Sequence, residues 1–72
     1  MKAQMVAVNS TAIQSVAFNE RKSKLHIVFN NGTRYVYSDV PFKTVMKLLA
    51  ADSIGRFFNY NIRNQFNFVC RG

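Results

Sequence analysis

The sequence predicts a small α+β domain, in which an antiparallel sheet carries two helices on one face in the order β-β-β-α-α-β. Leu25, Ile27 and Phe29 recur at every second position, which is the period of a strand with one buried face. Over Pro41–Ala51 the apolar residues recur at spacings of three and four, which is the period of an amphipathic helix. Because runs with strand periodicity flank runs with helical periodicity, the chain is assigned to the α+β class.

A β-hairpin is the most strongly indicated local structure. Asn31-Gly32 separates Leu25–Phe29 from a second β-rich run, Arg34–Tyr37. Asn-Gly between two such runs predicts a type I′ turn, since both central residues of that turn need a positive φ. The turn would fix the strand register, because a slip by one residue would expose the apolar face to solvent.

A first strand is predicted over Ile13–Asn19. Val6 and Val8 can begin an edge strand before it, within a segment, residues 1–8, that is otherwise expected to be flexible. The loop Asn19–Lys24 follows and is expected to join two antiparallel strands. It gathers three cations: Arg21, Lys22 and Lys24.

The first helix is expected to begin at Pro41, since proline is tolerated in a first turn, and Ser38 or Asp39 can cap it. Its apolar stripe is assigned to the core. The stripe consists of Phe42, Val45, Met46, Leu48 and Leu49. Lys43 and Lys47 lie on the opposite face, either as a solvated surface or as two contacts to an anion.

Asp52-Ser53 interrupts this pattern and can cap a second helix, Ile54–Arg63. The residues predicted to face inward are Phe57, Phe58 and Ile62. The residues predicted to form a polar side are Arg56, Asn59 and Arg63. Alternating apolar residues then predict a last strand, Phe66–Arg71, in which Cys70 is expected to be a small core residue.

Charge is the most informative feature of the composition. The 72 residues include ten Lys and Arg against three Asp and Glu, a formal net charge of +7. A basic excess of this size in so small a domain indicates an anionic partner, which can be nucleic acid, an acidic protein surface or anionic lipid. The 49% hydrophobic content is too high for an intrinsically disordered chain.

Residues for catalysis or metal binding are not grouped in the sequence. Cys70 is the single cysteine and His26 the single histidine, so neither a disulfide within the chain nor a Cys/His zinc site is expected. His26 lies in the middle of a predicted strand, where a structural role is expected. We therefore predict a binding protein of the reducing cytoplasm, without catalytic residues, metal or cofactor.

Three ordered runs of residues resemble the KTSC domain family. They are Val8-Asn9-Ser10 with Ile13, Val16 and Phe18; Leu25, Ile27 and Phe29 with Asn31-Gly32, Tyr35, Tyr37 and Val40-Pro41; and Leu48-Leu49 with Ala51, Ser53, Gly55, Phe57-Phe58-Asn59 and Ile62-Arg63. The resemblance covers nearly the whole chain and implies one domain over residues 1–72. The family supplies no catalytic residues to this chain.

Within that family, this short basic chain resembles a small phage-encoded transcription regulator. Such a regulator binds host RNA polymerase, impedes initiation at promoters and lets elongating polymerase read through terminators. The resemblance therefore implies a non-enzymatic regulator in the host bacterial cytoplasm, with the large polymerase subunits as partner and RNA near the exit path as a further contact.

Ten residues are predicted to contact a partner. Seven form a pool of anion contacts: Arg21, Lys22, Lys24, Lys43, Lys47, Arg56 and Arg63. Three more lie near the N-terminus, with Lys2 as a cation and Met5 and Val6 as an apolar anchor. The sequence predicts that two or three of the seven share one face, without indicating which.

The alternative is a module that binds RNA or single-stranded nucleic acid. This alternative is suggested by the alternation of cations and aromatic rings in Arg34–Tyr37 and Arg56–Tyr60. Against it, Phe57, Phe58 and most tyrosines are more readily explained as core residues. A membrane-surface role is disfavoured because the apolar face of the first helix is assigned to the core.

Overall fold

The computed structural model describes residues 6–7 and 12–71. In this part of the chain the strands are β1 (Val6–Ala7), β2 (Ile13–Asn19), β3 (Lys24–Phe29), β4 (Arg34–Tyr37) and β5 (Phe68–Cys70), and the helices are α1 (Phe42–Ala50) and α2 (Ile54–Asn61). The strands form one sheet in the order β1-β2-β3-β4-β5, with every neighbouring pair antiparallel. The predicted α+β class is confirmed, and β1 adds a two-residue edge strand beside β2.

The hydrophobic core lies between one face of the sheet and the two helices. Ten buried residues form it: Ile13, Val16, Leu25, Ile27, Tyr37 and Val40 from the sheet side, and Val45, Leu48, Phe58 and Ile62 from the helical side. Ile13 and Val16 are both buried although they are three positions apart, because a register shift between Ile13 and Ser15 interrupts the alternation. The inward assignment of Phe58 and Ile62 is confirmed.

The hairpin between β3 and β4 forms as predicted, but its turn is not type I′. Gly32 has a φ of +90°, whereas Asn31 is not among the residues with positive φ. The Gly32 amide donates to the Phe29 carbonyl at 2.9 Å, and the Phe29 amide donates to the Thr33 carbonyl at 2.9 Å. The loop therefore contains three residues, Asn30 to Gly32, and has the form of a type I turn followed by a left-handed glycine.

Replacing Gly32 with alanine should lower the free energy of unfolding by about 1–2 kcal/mol. No atom lies within 4 Å of the position that a Cβ would take, so the cost comes from the positive φ and not from a clash. Urea denaturation of Gly32→Ala measures it. Gly32→Asn is the matched variant, and its loss should be smaller because asparagine tolerates this conformation. Equal losses would contradict this explanation.

The β2–β3 loop is shorter than predicted, because Lys24 is the first residue of β3 and not a loop residue. Ser23 has a φ of 55°, and its carbonyl accepts a hydrogen bond from the Val40 amide at 3.0 Å. This bond places the loop beside the segment that leads into α1. The predicted capping by Ser38 or Asp39 is wrong, since Pro41 occupies the N-cap position and no side chain caps the helix.

The apolar stripe of α1 is only partly in the core. Val45 and Leu48 are buried, whereas Phe42 is 52% exposed, Met46 52% and Leu49 41%. One side of the stripe therefore packs in the core, and the other side remains in solvent. The assignment of the whole stripe to the core was wrong, and with it the reason for disfavouring a membrane-surface role.

The last strand is shorter than predicted and less buried. It covers Phe68–Cys70, and all of its residues are exposed, while Phe66 packs partly against the core before the strand begins. Cys70 is a free, exposed thiol, so its assignment to the core was wrong. The strand lies at the edge of the sheet and, among the described strands, pairs only with β4, which fits its exposure.

Candidate functional site

In the described part of the chain, the positive charges are not paired with acidic side chains. All Lys and Arg residues except Lys2 lie in the described part of the chain, and none forms an ion pair with an acid there. Lys24 is half-buried, and its Nζ donates a hydrogen bond to the Ser38 hydroxyl at 2.9 Å. The other cations of this part are exposed and available to an external anion.

We define the α1 surface as Phe42, Met46 and Leu49 with Lys43 and Lys47. The three apolar residues follow one another at helical spacing and form a continuous exposed stripe. Lys43 and Lys47 are exposed along one side of it. This surface thus combines apolar anchors with a basic border.

The β2–β3 loop lies near the start of this surface. The Phe18 ring at the end of β2 lies 6.1 Å from the Phe42 ring, between centroids. Arg21 and Lys22, both exposed in the loop, therefore project from the same end of the molecule as the first turn of α1.

We call the side of the sheet opposite the helices the open face, because Arg34, Val69 and Arg71 on it are exposed, although Ala17 and Val36 at its centre are buried. His26 lies in register between Ala17 and Val36, and Val36 pairs with Val69, so these residues form one row across four strands. Strand alternation directs them away from the core residues Leu25, Ile27 and Tyr37. The cations that alternation places on this open face are Lys24, Arg34 and Arg71.

Arg34, Arg71 and His26 were not among the predicted partner contacts. Because side chains alternate between the two faces of a strand, the sequence Arg34–Tyr37 could have placed Arg34 on the face away from the two tyrosines. The position of Arg71 depends on the pairing of β5 with β4, in which the Arg71 amide donates to the Arg34 carbonyl at 2.7 Å. That pairing joins strands separated by both helices, and nothing in the local sequence indicates it.

Burial lowers the pKa of His26 below its usual 6.5, and the positive charges of Arg34, Arg71 and Lys24 lower it further. Folding therefore favours the neutral imidazole. As the pH falls below 6.5, the free energy of unfolding should decrease until the pH has passed the folded-state pKa of His26. Above pH 6.5, His26 should not make the stability depend on pH.

The double variant Arg34→Gln/Arg71→Gln should raise the pKa of His26 toward, but not to, 6.5, because the effect of burial remains. Titration of the imidazole resonances by NMR measures it. Lys47→Gln removes a charge that does not act on His26 and should leave its pKa unchanged. A pKa in the double variant equal to that of the wild type would contradict the assignment of these arginines to the open face.

We define the α2 groove as the depression between α2 and the sheet, with a volume of about 910 Å³; it is lined by residues of β4 and β5, the β3–β4 loop and the start of β2. Tyr35, Tyr37 and Phe68 line it from the sheet, and Arg56, Asn59, Tyr60 and Arg63 line it from α2 and the residues just after that helix. The Arg63 Nη1 donates to the Asn59 Oδ1 at 3.1 Å. Tyr60 is 75% exposed and Phe68 51% exposed, so aromatic rings as well as cations face solvent here.

The floor of the groove is an aromatic cluster. The Phe68 ring centroid lies 5.4 Å from both the Tyr35 and the Tyr37 ring centroids. Burial raises the pKa of Tyr37, the neighbouring Tyr35 raises it further, and the positive charge of Arg63 opposes this shift. Arg63 and Tyr37 line the same groove.

The structure separates the predicted contacts into distinct surfaces. Lys43 and Lys47 share the α1 surface, Arg56 and Arg63 share the α2 groove, Lys24 lies on the open face, and Arg21 and Lys22 lie in the β2–β3 loop. Lys2 and Met5 lie outside the described residues, and Val6 is described only as a backbone position in β1. The predicted residues therefore do not form one site.

Within the described ranges, no three or more His, Cys, Asp or Glu side chains are grouped so as to hold a metal ion. Neither helix in these ranges is long and apolar enough to cross a membrane.

Comparison with known proteins identifies clear relatives. The family described as the KTSC domain matches residues 9–66. A protein of Stutzerimonas stutzeri is 37% identical over 60 residues, covering 83% of this chain and 84% of its own length. A protein of Tsukamurella paurometabola is 35% identical over 65 residues, covering 90% and 97%. The crystal structure of a KTSC domain protein from Yersinia pestis superposes with a TM-score of 0.92 at 30% identity, over 99% of this chain and 100% of that one.

Proposed function

Since this chain belongs to the KTSC domain family, we propose that it is a non-enzymatic regulator of transcription that binds bacterial RNA polymerase. In this proposal it acts in the bacterial cytoplasm, impedes initiation and promotes antitermination. The choice of polymerase comes from the resemblance of so short and basic a chain to a phage-encoded regulator of that kind. The expectation that a protein partner is bound has a separate, structural support.

The α1 surface is the observation that carries the proposal. Single exposed apolar residues are ordinary on protein surfaces. Phe42, Met46 and Leu49, however, stand at positions i, i+4 and i+7 of one helix, each between 41% and 52% exposed. This is the spacing of the anchors by which an amphipathic helix binds the groove of a partner protein. Phe and Met are also residue types that are enriched in the centres of protein interfaces.

The charges around this stripe favour an acidic partner surface. Lys43 and Lys47 are exposed and unpaired within the described residues, and Arg21 and Lys22 extend the positive potential from the neighbouring loop. Cations at the rim of an interface mainly accelerate association and make it sensitive to salt. Lys2, Met5 and Val6 remain predicted contacts of the same partner.

The test is capture of purified bacterial RNA polymerase by the tagged chain at low and at high salt, after nuclease treatment of both proteins. Nuclease-resistant binding that weakens as salt rises is expected. Anionic phospholipid vesicles form a second arm, because an amphipathic helix can also lie on a lipid surface. Failure to retain polymerase at low salt, or retention by vesicles alone, would contradict the proposal.

A further inference from the structure

We infer that the α2 groove is a separate binding site for single-stranded nucleic acid, with Tyr60 and Phe68 as stacking platforms and Arg56 and Arg63 as phosphate contacts. This site goes beyond the proposed binding of polymerase, since it uses none of the residues of the α1 surface. Either function can fail without the other.

Exposed aromatic rings are the first support. A domain of 72 residues has a thin core, so rings left in solvent forgo burial that would stabilise the fold. Tyr60 is 75% exposed and Phe68 51% exposed, and both line the same groove. Aromatic rings that stack with successive bases are the sequence-tolerant element of single-strand recognition.

The Tyr37 hydroxyl is the second support. Tyr37 is only 2% exposed, and its hydroxyl makes no hydrogen bond within the described part of the chain. No buried side-chain oxygen or nitrogen there lacks a partner, so this hydroxyl is not sealed in the core. The hydroxyl therefore keeps a small contact with solvent, and because Tyr37 lines the α2 groove, it can donate to or accept from a molecule bound there.

The arrangement of charge is the third support. Arg63 is held by its hydrogen bond to Asn59, so its guanidinium is oriented before a ligand arrives. Arg56 lies on the same groove, and Asp52 is the one acid among the lining residues that the structure describes. Guanidinium groups match the geometry of phosphate oxygens.

A single strand fits these features better than a duplex or an acidic peptide. The bases of a duplex are already stacked on one another, whereas unpaired bases can be splayed onto protein rings. An acidic peptide would satisfy the arginines but would leave the two exposed rings without a specific partner.

The experiment measures binding of a fluorescently labelled oligouridylate of about ten nucleotides by anisotropy over a range of salt concentrations. Tyr60→Ala should weaken binding by about fivefold or more, while Tyr60→Trp should retain or strengthen it because a larger ring stacks better. Arg56→Gln/Arg63→Gln should reduce the slope of log K against log salt by about 1.4, at about 0.7 for each phosphate contact.

Lys43→Gln/Lys47→Gln is the matched control, because it removes the same two charges from the α1 surface. It should lower affinity less than the arginine pair does. Equal losses in the two pairs, an unchanged affinity of Tyr60→Ala, or no binding by the wild type would overturn the inference. A polyglutamate peptide that binds as tightly and depends equally on Tyr60 would also overturn it in favour of a peptide site.

Discussion

Phe58→Ala should make the domain unfold at a much lower temperature than the wild type. Phe58 is 4% exposed, and its ring centroid lies 5.5 Å from that of Phe29 and 5.4 Å from that of Tyr37. Truncating a buried phenylalanine costs about 3–5 kcal/mol. A domain of 72 residues has a total stability of roughly 4–11 kcal/mol, so this single change removes a large share of it.

Thermal unfolding followed by circular dichroism measures this effect, and a fall in Tm of about 15 °C or more is expected. Phe58→Leu keeps an apolar side chain and should cost less. Tyr60→Ala, two positions along the same helix and 75% exposed, should change the free energy of unfolding by no more than about 0.5 kcal/mol. A small loss in Phe58→Ala would mean that α2 is not the element that closes the core.

The same ring also connects stability to the α2 groove. Phe58 packs on Tyr37, and Tyr37 supports Phe68, whose other side faces solvent. A substitution that weakens the packing of Phe58 should therefore disturb the α2 groove. The residues of the α1 surface lie on a different helix and should be affected less. Nucleic-acid binding is accordingly tested with Tyr60 variants, since these leave the core intact.

Sequence periodicity predicted the elements well, because each one is encoded by residues close together in the chain. The alternation in β3 and the Asn-Gly pair identify a hairpin without further information. The turn type was wrong because Asn-Gly fits more than one loop length, and the Phe29–Thr33 pairing selected the three-residue form. Local sequence therefore indicates that the chain reverses its direction, while the pairing of the two strands determines the length and type of the turn.

Exposure was predicted less well, because it depends on how much of each element its neighbours cover. Met46 and Leu48 belong to the same stripe, yet Met46 is 52% exposed and Leu48 fully buried. Periodicity gives the direction of a side chain on its helix but not how much of the helix the sheet covers. The apolar and aromatic residues of both candidate surfaces fit either the core or the surface by their pattern alone. The cations of these surfaces, in contrast, were predicted as partner contacts from their charge.

The distribution of the basic residues is consistent with two partners bound at once. The α1 surface and the α2 groove lie on different helices and share no residue. A protein bound by α1 would thus leave Arg56 and Arg63 free to meet a nucleic acid strand. In an assembly that contains both protein and RNA, such a division would let each contact strengthen the other through effective concentration.

Met46→Gln should weaken nuclease-resistant binding to polymerase about tenfold, mainly through faster dissociation. Met46 is 52% exposed, so the substitution should have little effect on stability while it replaces an apolar anchor with an amide. A loss of tenfold corresponds to about 1.4 kcal/mol, just below the roughly 1.5–3 kcal/mol for burying a fully exposed apolar side chain, as fits a residue that is already partly buried. Surface plasmon resonance with immobilised polymerase separates the two rate constants. Val69→Gln is the matched control, because Val69 is 54% exposed but lies on the open face of the sheet.

Lys43→Gln/Lys47→Gln should lower the association rate constant for polymerase. Rim cations steer the encounter, so this pair should slow association and flatten its dependence on salt while dissociation changes little. The two variants together therefore distinguish an interface with an apolar centre and a basic border from simple attraction between opposite charges. If Met46→Gln left dissociation unchanged while the lysine pair abolished binding, the apolar stripe of α1 would not contact the partner. Basic charge alone would then account for the affinity.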